Sequence, residues 1–226
     1  MSNDSSRDRP EMSRRAALGT GAALGAGLAA TAAACADATP GGLPNAGELD
    51  DNLSESAHLF HLDATEPLRF DGGDLRGAHE NNFPVLAGQC GSAYVVRLEP
   101  GGIREPHWHP TAWELNYHIS GRAKWTILGT HPDGRYRSEE FEARAGDLVF
   151  APQGYFHYFE NAHRDHPLEV LIVFNTSAQE PNDDIGLRGA LNSIPRAVTA
   201  AVLGIPESAL NGIPTDLQPV VITKRR

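Results

Sequence analysis

Hydrophobic and polar positions alternate in short runs through the middle of the chain. "HLFHL", "NFPVLAG", "SAYVVRLEP", "WELNYHIS", "RAKWTILGT", "YRSEEFEA", "DLVFAP", "HYFEN" and "LEVLIVFNT" follow one another from about Ala57, punctuated by Gly, Pro, Asp and Asn. A period of two sends successive side chains to opposite faces of a strand. Strands at this regular spacing, without helices between them, predict a β-sandwich or barrel. No internal repeat is visible, so the pattern predicts one barrel and not two in tandem.

The texture changes after Phe174. "NTSAQEPNDDIG" reads as a polar loop. A helix is expected from about Pro195 to Leu203, stopped by Gly204, and a second short one is opened by Pro206 and Glu207 and closed by Gly212. Ile194, Val198, Val202, Leu203 and Ile205 give this pair an apolar face with no second domain to cover it. A homo-oligomer, a dimer or higher, is therefore expected.

The N-terminal stretch has neither pattern. Arg14 and Arg15 precede a Gly/Ala-rich, weakly hydrophobic run that ends in small residues. Residues 1–36 read as a twin-arginine export signal, which implies an extracellular or cell-envelope location. The run is too poor in Leu, Ile and Phe for a membrane helix. Two endings fit: cleavage after the A-x-A of Ala34-Cys35-Ala36, or a lipid anchor at Cys35. Residues 37–56, rich in Pro, Gly and Asp, read as a tether. Residues 57–226 are left as one domain, with helices at about 190–212.

Composition narrows the classes. The chain has 226 residues and a formal net charge of −10, so nucleic acid is not an expected partner. Any anionic ligand must be held by cations inside a pocket. Of two cysteines, only Cys90 lies beyond the signal. It reads as a buried small hydrophobe, and stability is expected to come from a packed core.

The chemistry concentrates in two stretches. In "GGIREPHWHPTAWELNYHISG", His107 and His109 are one residue apart and share a strand face. An isolated pair of this kind is an ordinary surface feature. Here Glu114 follows a short turn, and in "GDLVFAPQGYFHYFEN" a turn at Pro152 and Gly154 leads to His157. Three imidazoles and a carboxylate form a mixed N/O set that suits Mn(II) or Fe(II) better than a closed zinc site. Arg104 lies nearby, but its strand parity is opposite to that of His107, so a shared pocket requires a bend. Asn116 and His118 share the parity of Glu114 and are expected to point inward. His58, His61, His79, His131, His163 and His166 read as surface or structural.

These stretches carry a resemblance. Gly101, His107, His109, Glu114 and Gly121 match the first cupin motif. Gly146, Pro152, Gly154, His157 and Asn161 match the second. "IREPHWHP" and the tail from "VLIVFNTS" to "ALNGIP" resemble the bacterial oxalate decarboxylases. The resemblance implies an all-β cupin barrel of the jelly-roll type with a short C-terminal helical pair. It implies manganese on His107, His109, Glu114 and His157, and Arg104 on the substrate carboxylate. Oxalate would be split to formate and carbon dioxide, with dioxygen at or near the metal as co-catalyst and a lid acid returning a proton. That family usually has two cupin domains, and one is legible here. The lid loop reads Gln179-Glu180-Pro181-Asn182-Asp183-Asp184, and a gap-free count puts Pro181 where the family has its glutamate. Glu180 is the expected acid if Pro181 redirects the loop, with Asp183 as second choice and a solvated acidic loop as the plain alternative. His118, unusual for the family, is a further candidate acid or base. Two other functions stay open: an oxalate oxidase that makes hydrogen peroxide, and a non-catalytic cupin that holds a metal and a small acid or sugar.

Overall fold

The computed structural model describes residues 56–225 except His131 and Leu217. The stretch read as an export signal and nearly all of the stretch read as a tether lie outside the described residues.

Strand alternation becomes two antiparallel sheets. The first has the order β1 (Leu68–Phe70), β2 (Gly73–Ala78), β3 (Ser92–Leu98), β10 (Leu168–Phe174), β5 (Glu114–Ser120) and β8 (Leu148–Ala151). The second runs β11 (Ile185–Gly186), β4 (Gly102–Trp108), β9 (Phe156–Asn161), β6 (Arg122–Thr130) and β7 (Tyr136–Arg144), with β12 (Ile222–Lys224) also on β4. β10 shows why these residues form strands. Leu168, Val170, Ile172 and Phe174 are all buried, and the residues between them face outward. Trp125, Phe159, Leu98, Val96 and Val170 fill the space between the sheets. Burying large aliphatic and aromatic side chains is worth about 1.5–3 kcal/mol each, which makes this core the main source of stability. β7, on the open side of the second sheet, is mostly exposed and carries Arg137, Glu139, Glu140, Glu142 and Arg144, charges that discourage further strand pairing.

Several expected elements differ. "HLFHL" and "NFPVLAG" are not strands. The first has a single bridge residue at Phe60 and leads into a 3-10 turn at Leu62–Ala64, and the second holds a 3-10 turn at Pro84–Leu86. Pro84 opens the second turn and has no N–H to give a sheet ladder. β1, β2, β11 and β12 are additional short strands, and α1 (Leu187–Ser193) adds a helix before the expected pair. That pair is present as α2 (Arg196–Leu203) and a 3-10 segment at Glu207–Gly212. Gly204 ends α2 in the left-handed conformation (φ 65°), which costs glycine no Cβ strain. Cys90 also departs from expectation. It is only partly buried, so it is not a core hydrophobe.

Candidate metal centre

The barrel wall brings the predicted ligands together. His107 lies on β4, directly across from His157 on β9. Glu114 opens β5 opposite Phe174 and Ala151. His109 follows the end of β4. All four side chains are buried, and their candidate ligand atoms lie within 4.8 Å of one another.

Hydrogen bonds fix the ring orientations. Each Nδ1 donates to a backbone carbonyl: His107 to Glu105 at 2.7 Å, His109 to Asp183 at 2.9 Å and His157 to Tyr155 at 2.8 Å. A carbonyl only accepts, so Nδ1 carries the proton and Nε2 is left to bind a cation. The three Nε2 atoms converge on Glu114 Oε2, at 3.8, 3.0 and 2.9 Å for His107, His109 and His157. Glu114 Oε1 is buried without a partner. Three imidazole lone pairs around one incompletely satisfied carboxylate fit a divalent metal.

The charges agree with that fit. Burial opposes ionisation of Glu114, but the three histidines override it and hold the carboxyl well below its ordinary range. Burial also opposes charging of His109, yet the hydrogen bond and charge of Glu114 lift that ring to about 9. His107 goes the other way: burial, aided by the cation on Arg104, pushes it down to about 3. Without a metal, the pocket neutralises its carboxylate with a proton on histidine.

Arg104 reaches the same pocket through a bend in β4. The β4–β9 register shifts between Arg104 and His107, and this irregularity reverses strand parity. Gly102, Arg104, Glu105 and His107 are all buried as a result. Arg104 Nη2 donates to Glu180 Oε1 at 3.0 Å and, in a shorter contact, to Asp184 Oδ2. Asp184 and Glu180 also come within 4.8 Å of His107, but Arg104 already supplies their countercharge. Arg104 Nη1, Glu180 Oε2 and Asp184 Oδ1 remain unpartnered and buried, so the ion pair leaves polar atoms for a ligand.

The loop after β10 carries these acids. It folds as a 3-10 turn, Glu180–Asp183, with Pro181 in its first turn. The Glu180 backbone N–H donates to Tyr94 Oη at 2.6 Å, and its side chain turns inward, 3% exposed. Burial raises the Glu180 carboxyl above its usual value against the pull of Arg104. Asp183 does not enter the pocket. Its carboxylate accepts from the Thr111 backbone N–H at 3.1 and 3.2 Å, and its carbonyl holds His109. Asp184, which sequence reasoning missed, takes the inward place. Sequence carried no signal for this choice, because it rests on the capture of Asp183 by Thr111 and His109. β11 then pairs Ile185 with Trp108 and Gly186 with His107.

His118 is inward and buried, as its parity predicts, but it is engaged elsewhere. Its Nδ1 faces the Asp147 carbonyl at 3.3 Å, and its Nε2 accepts from Trp125 Nε1 at 3.0 Å. Burial lowers its pKa, consistent with a neutral ring. Its geometry is that of a satisfied core histidine rather than the acid or base first expected. Trp125 lies between it and His157, with its ring stacked 6.3 Å from the His157 ring.

A two-sheet antiparallel barrel with three histidines and a glutamate on its inner wall defines the class. The family model described as Cupin matches residues 60–209, and the chain belongs to the cupin family. Among curated relatives, the oxalate decarboxylase of Bacillus subtilis (strain 168) is 31% identical over 185 residues, covering 79% of this chain and 46% of that protein. An oxalate decarboxylase of Arthroderma benhamiae is 31% identical over 171 residues, covering 75% and 38%. A solved structure of the Bacillus subtilis enzyme, determined in work on its Mn(II) centres, aligns with a TM-score of 0.62 at 32% identity, covering 74% of this chain and 41% of that one. The chain spans less than half the length of these relatives.

Proposed function

We propose that this chain is a manganese-dependent enzyme that splits oxalate into formate and carbon dioxide. The observation that carries this reading is the Glu180 carboxyl. It is buried beside the metal ligands, held by Arg104 through one oxygen, with the other oxygen free and its pKa raised by burial. The identity to oxalate decarboxylases supports the substrate. His107, His109, Glu114 and His157 would hold Mn(II), which supplies Lewis-acid and one-electron chemistry when bound. Arg104 binds and orients the substrate carboxylate, using the buried Nη1 that the lid leaves free. The closed turn at 180–183 excludes water. Glu180, its pKa raised by burial, is the acid that gives a proton to the carbon left after carbon dioxide departs, and so makes formate instead of an oxidised product.

The test is Glu180→Gln on manganese-loaded protein, with formate and peroxide read together. Formate production is expected to fall by roughly 100- to 10,000-fold with manganese retained. Asp183→Asn is expected to keep the formate-forming step, because that carboxylate faces Thr111. Formate at the parent rate from Glu180→Gln sinks the assignment.

Two wider proposals come from the sequence. Export by the twin-arginine route, with or without a lipid at Cys35, is tested by changing Arg14 and Arg15 to Lys; unchanged export rejects it. Self-association through α2 is the other proposal, and its test appears in the Discussion.

A further inference from the structure

We propose that Asn116 is a ligand-binding residue on the floor of the metal pocket, where its carboxamide reads the far end of a small 2-oxo carboxylate that carries a hydrogen-bond donor there. The inference deepens the functional reading above and rests on it for the location of the substrate.

Asn116 follows Glu114 by two residues on β5, so it shares the inward face. It is 0% exposed, and neither Nδ2 nor Oδ1 has a partner. Its cross-strand neighbours are Val149 and Ile172, both buried and apolar. They cannot satisfy an amide, and leaving one unpaired in such a place is costly. A cation in the ligand set does not solve this, because the Nδ2 hydrogens can only donate. The next inward residue, His118, shows the contrast: Asp147 and Trp125 use both of its ring nitrogens.

The location suits a substrate's second end. Two residues along a strand are about 6.7 Å, so Asn116 stands one step below the ligand layer. In the opposite sheet, Arg104 pairs with Phe159, two residues past His157, so its backbone stands at the corresponding depth. Arg104 Nη1 is also buried without a partner. The pocket therefore holds one unpaired cationic donor and one unpaired amide, which offers a donor and an acceptor. A small acid whose carboxylate is held by Arg104 and the ligand set presents its next carbon to Asn116. Nδ2 donates to the carbonyl oxygen there, and Oδ1 accepts from the donor. An unionised carboxyl or a carboxamide supplies both groups, and a methyl ketone supplies only the carbonyl.

Oxamate and pyruvate form the decisive pair. They are close in shape and differ in an amino group against a methyl at that end. In calorimetric titration of manganese-loaded protein, oxamate is expected to bind at least about tenfold tighter than pyruvate, the equivalent of one hydrogen bond. Asn116→Ala is expected to bring that ratio to about twofold or less with manganese per chain unchanged. Equal affinities in the parent protein overturn the proposal, as does a ratio that survives Asn116→Ala. If the variant fails to fold or to hold manganese, the parent comparison alone decides. A parent protein that leaves oxalate intact but keeps the oxamate preference refutes the decarboxylase reading and supports the role of Asn116.

Discussion

At the scale of single residues, the site depends on which atoms have partners. His109 is held from both ends, by the Asp183 carbonyl at Nδ1 and by Glu114 at Nε2. Losing a partner behind a metal ligand typically weakens binding about 10- to 100-fold, and losing the ligand itself costs more. His109→Ala is expected to drop bound manganese below detection by elemental analysis, and full occupancy in that variant would disprove the ligand set. Glu180 gives a pH prediction in the metal-free protein. Its folded pKa lies above the ordinary 4.5, so the folded state holds a proton that the unfolded state releases first. Its contribution to stability is therefore fully present below about pH 4.5 and is lost as pH rises through the folded value. Glu180→Gln cannot ionise. Thermal melts should show the variant gaining on the parent as pH increases over that window. Parallel curves for the two proteins would show that burial does not tune this acid.

At the scale of elements, the lid is held by a close backbone approach. Gly186 in β11 faces the Glu105 side chain so closely that an added Cβ would lie 2.1 Å from Glu105 Oε1. Glu105 is buried and also accepts weakly from the Arg188 backbone N–H at 3.4 Å. Gly186→Ala must push these groups apart, with an overpacking cost of about 1–3 kcal/mol. Because β11 pairs with His107, the strain falls on the lid and the metal wall together. The expected result is faster proteolytic cleavage within residues 180–186 and a lower melting temperature. Unchanged protease resistance would mean that β11 does not anchor the lid. The irregularity in β4 belongs to this scale too, since it turns Arg104 and His107 to one side of the wall.

At the scale of the whole molecule, the apolar face on the C-terminal segment is exposed. Val202 is 80% exposed, Leu203 56%, Val198 50%, Ile194 42% and Ile205 37%. Apolar groups gathered on one short segment favour association with a like surface. Light scattering at micromolar concentration is expected to give a dimer or larger assembly, and Val202→Asp is expected to shift it toward the monomer. A parent protein of monomeric mass would refute self-association.

Much of this was legible in the chain. The period-two runs announced the barrel, because a buried face and a wet face leave a direct record in sequence. The clustering of His107, His109, Glu114 and His157 was legible because these residues sit at fixed spacings on regular strands and turns. The helix at 196–203 was legible because Gly204 marks its end. Other features depended on tertiary structure. The shift in β4 that brings Arg104 inward arises from pairing with β9, and strand parity alone argued against it. Asp184 and not Asp183 entered the pocket because Thr111 and His109 captured the other residue. Whether His118 titrates or stays neutral was decided by Trp125 and Asp147, partners distant in sequence. The orphaned amide of Asn116 is visible only once Val149 and Ile172 are known to flank it. Along the regular strands, sequence by itself determined which side chains face the interior, because that follows from local periodicity. Only the tertiary structure decided which of them found partners there, because a hydrogen bond depends on elements that the chain brings together from far apart.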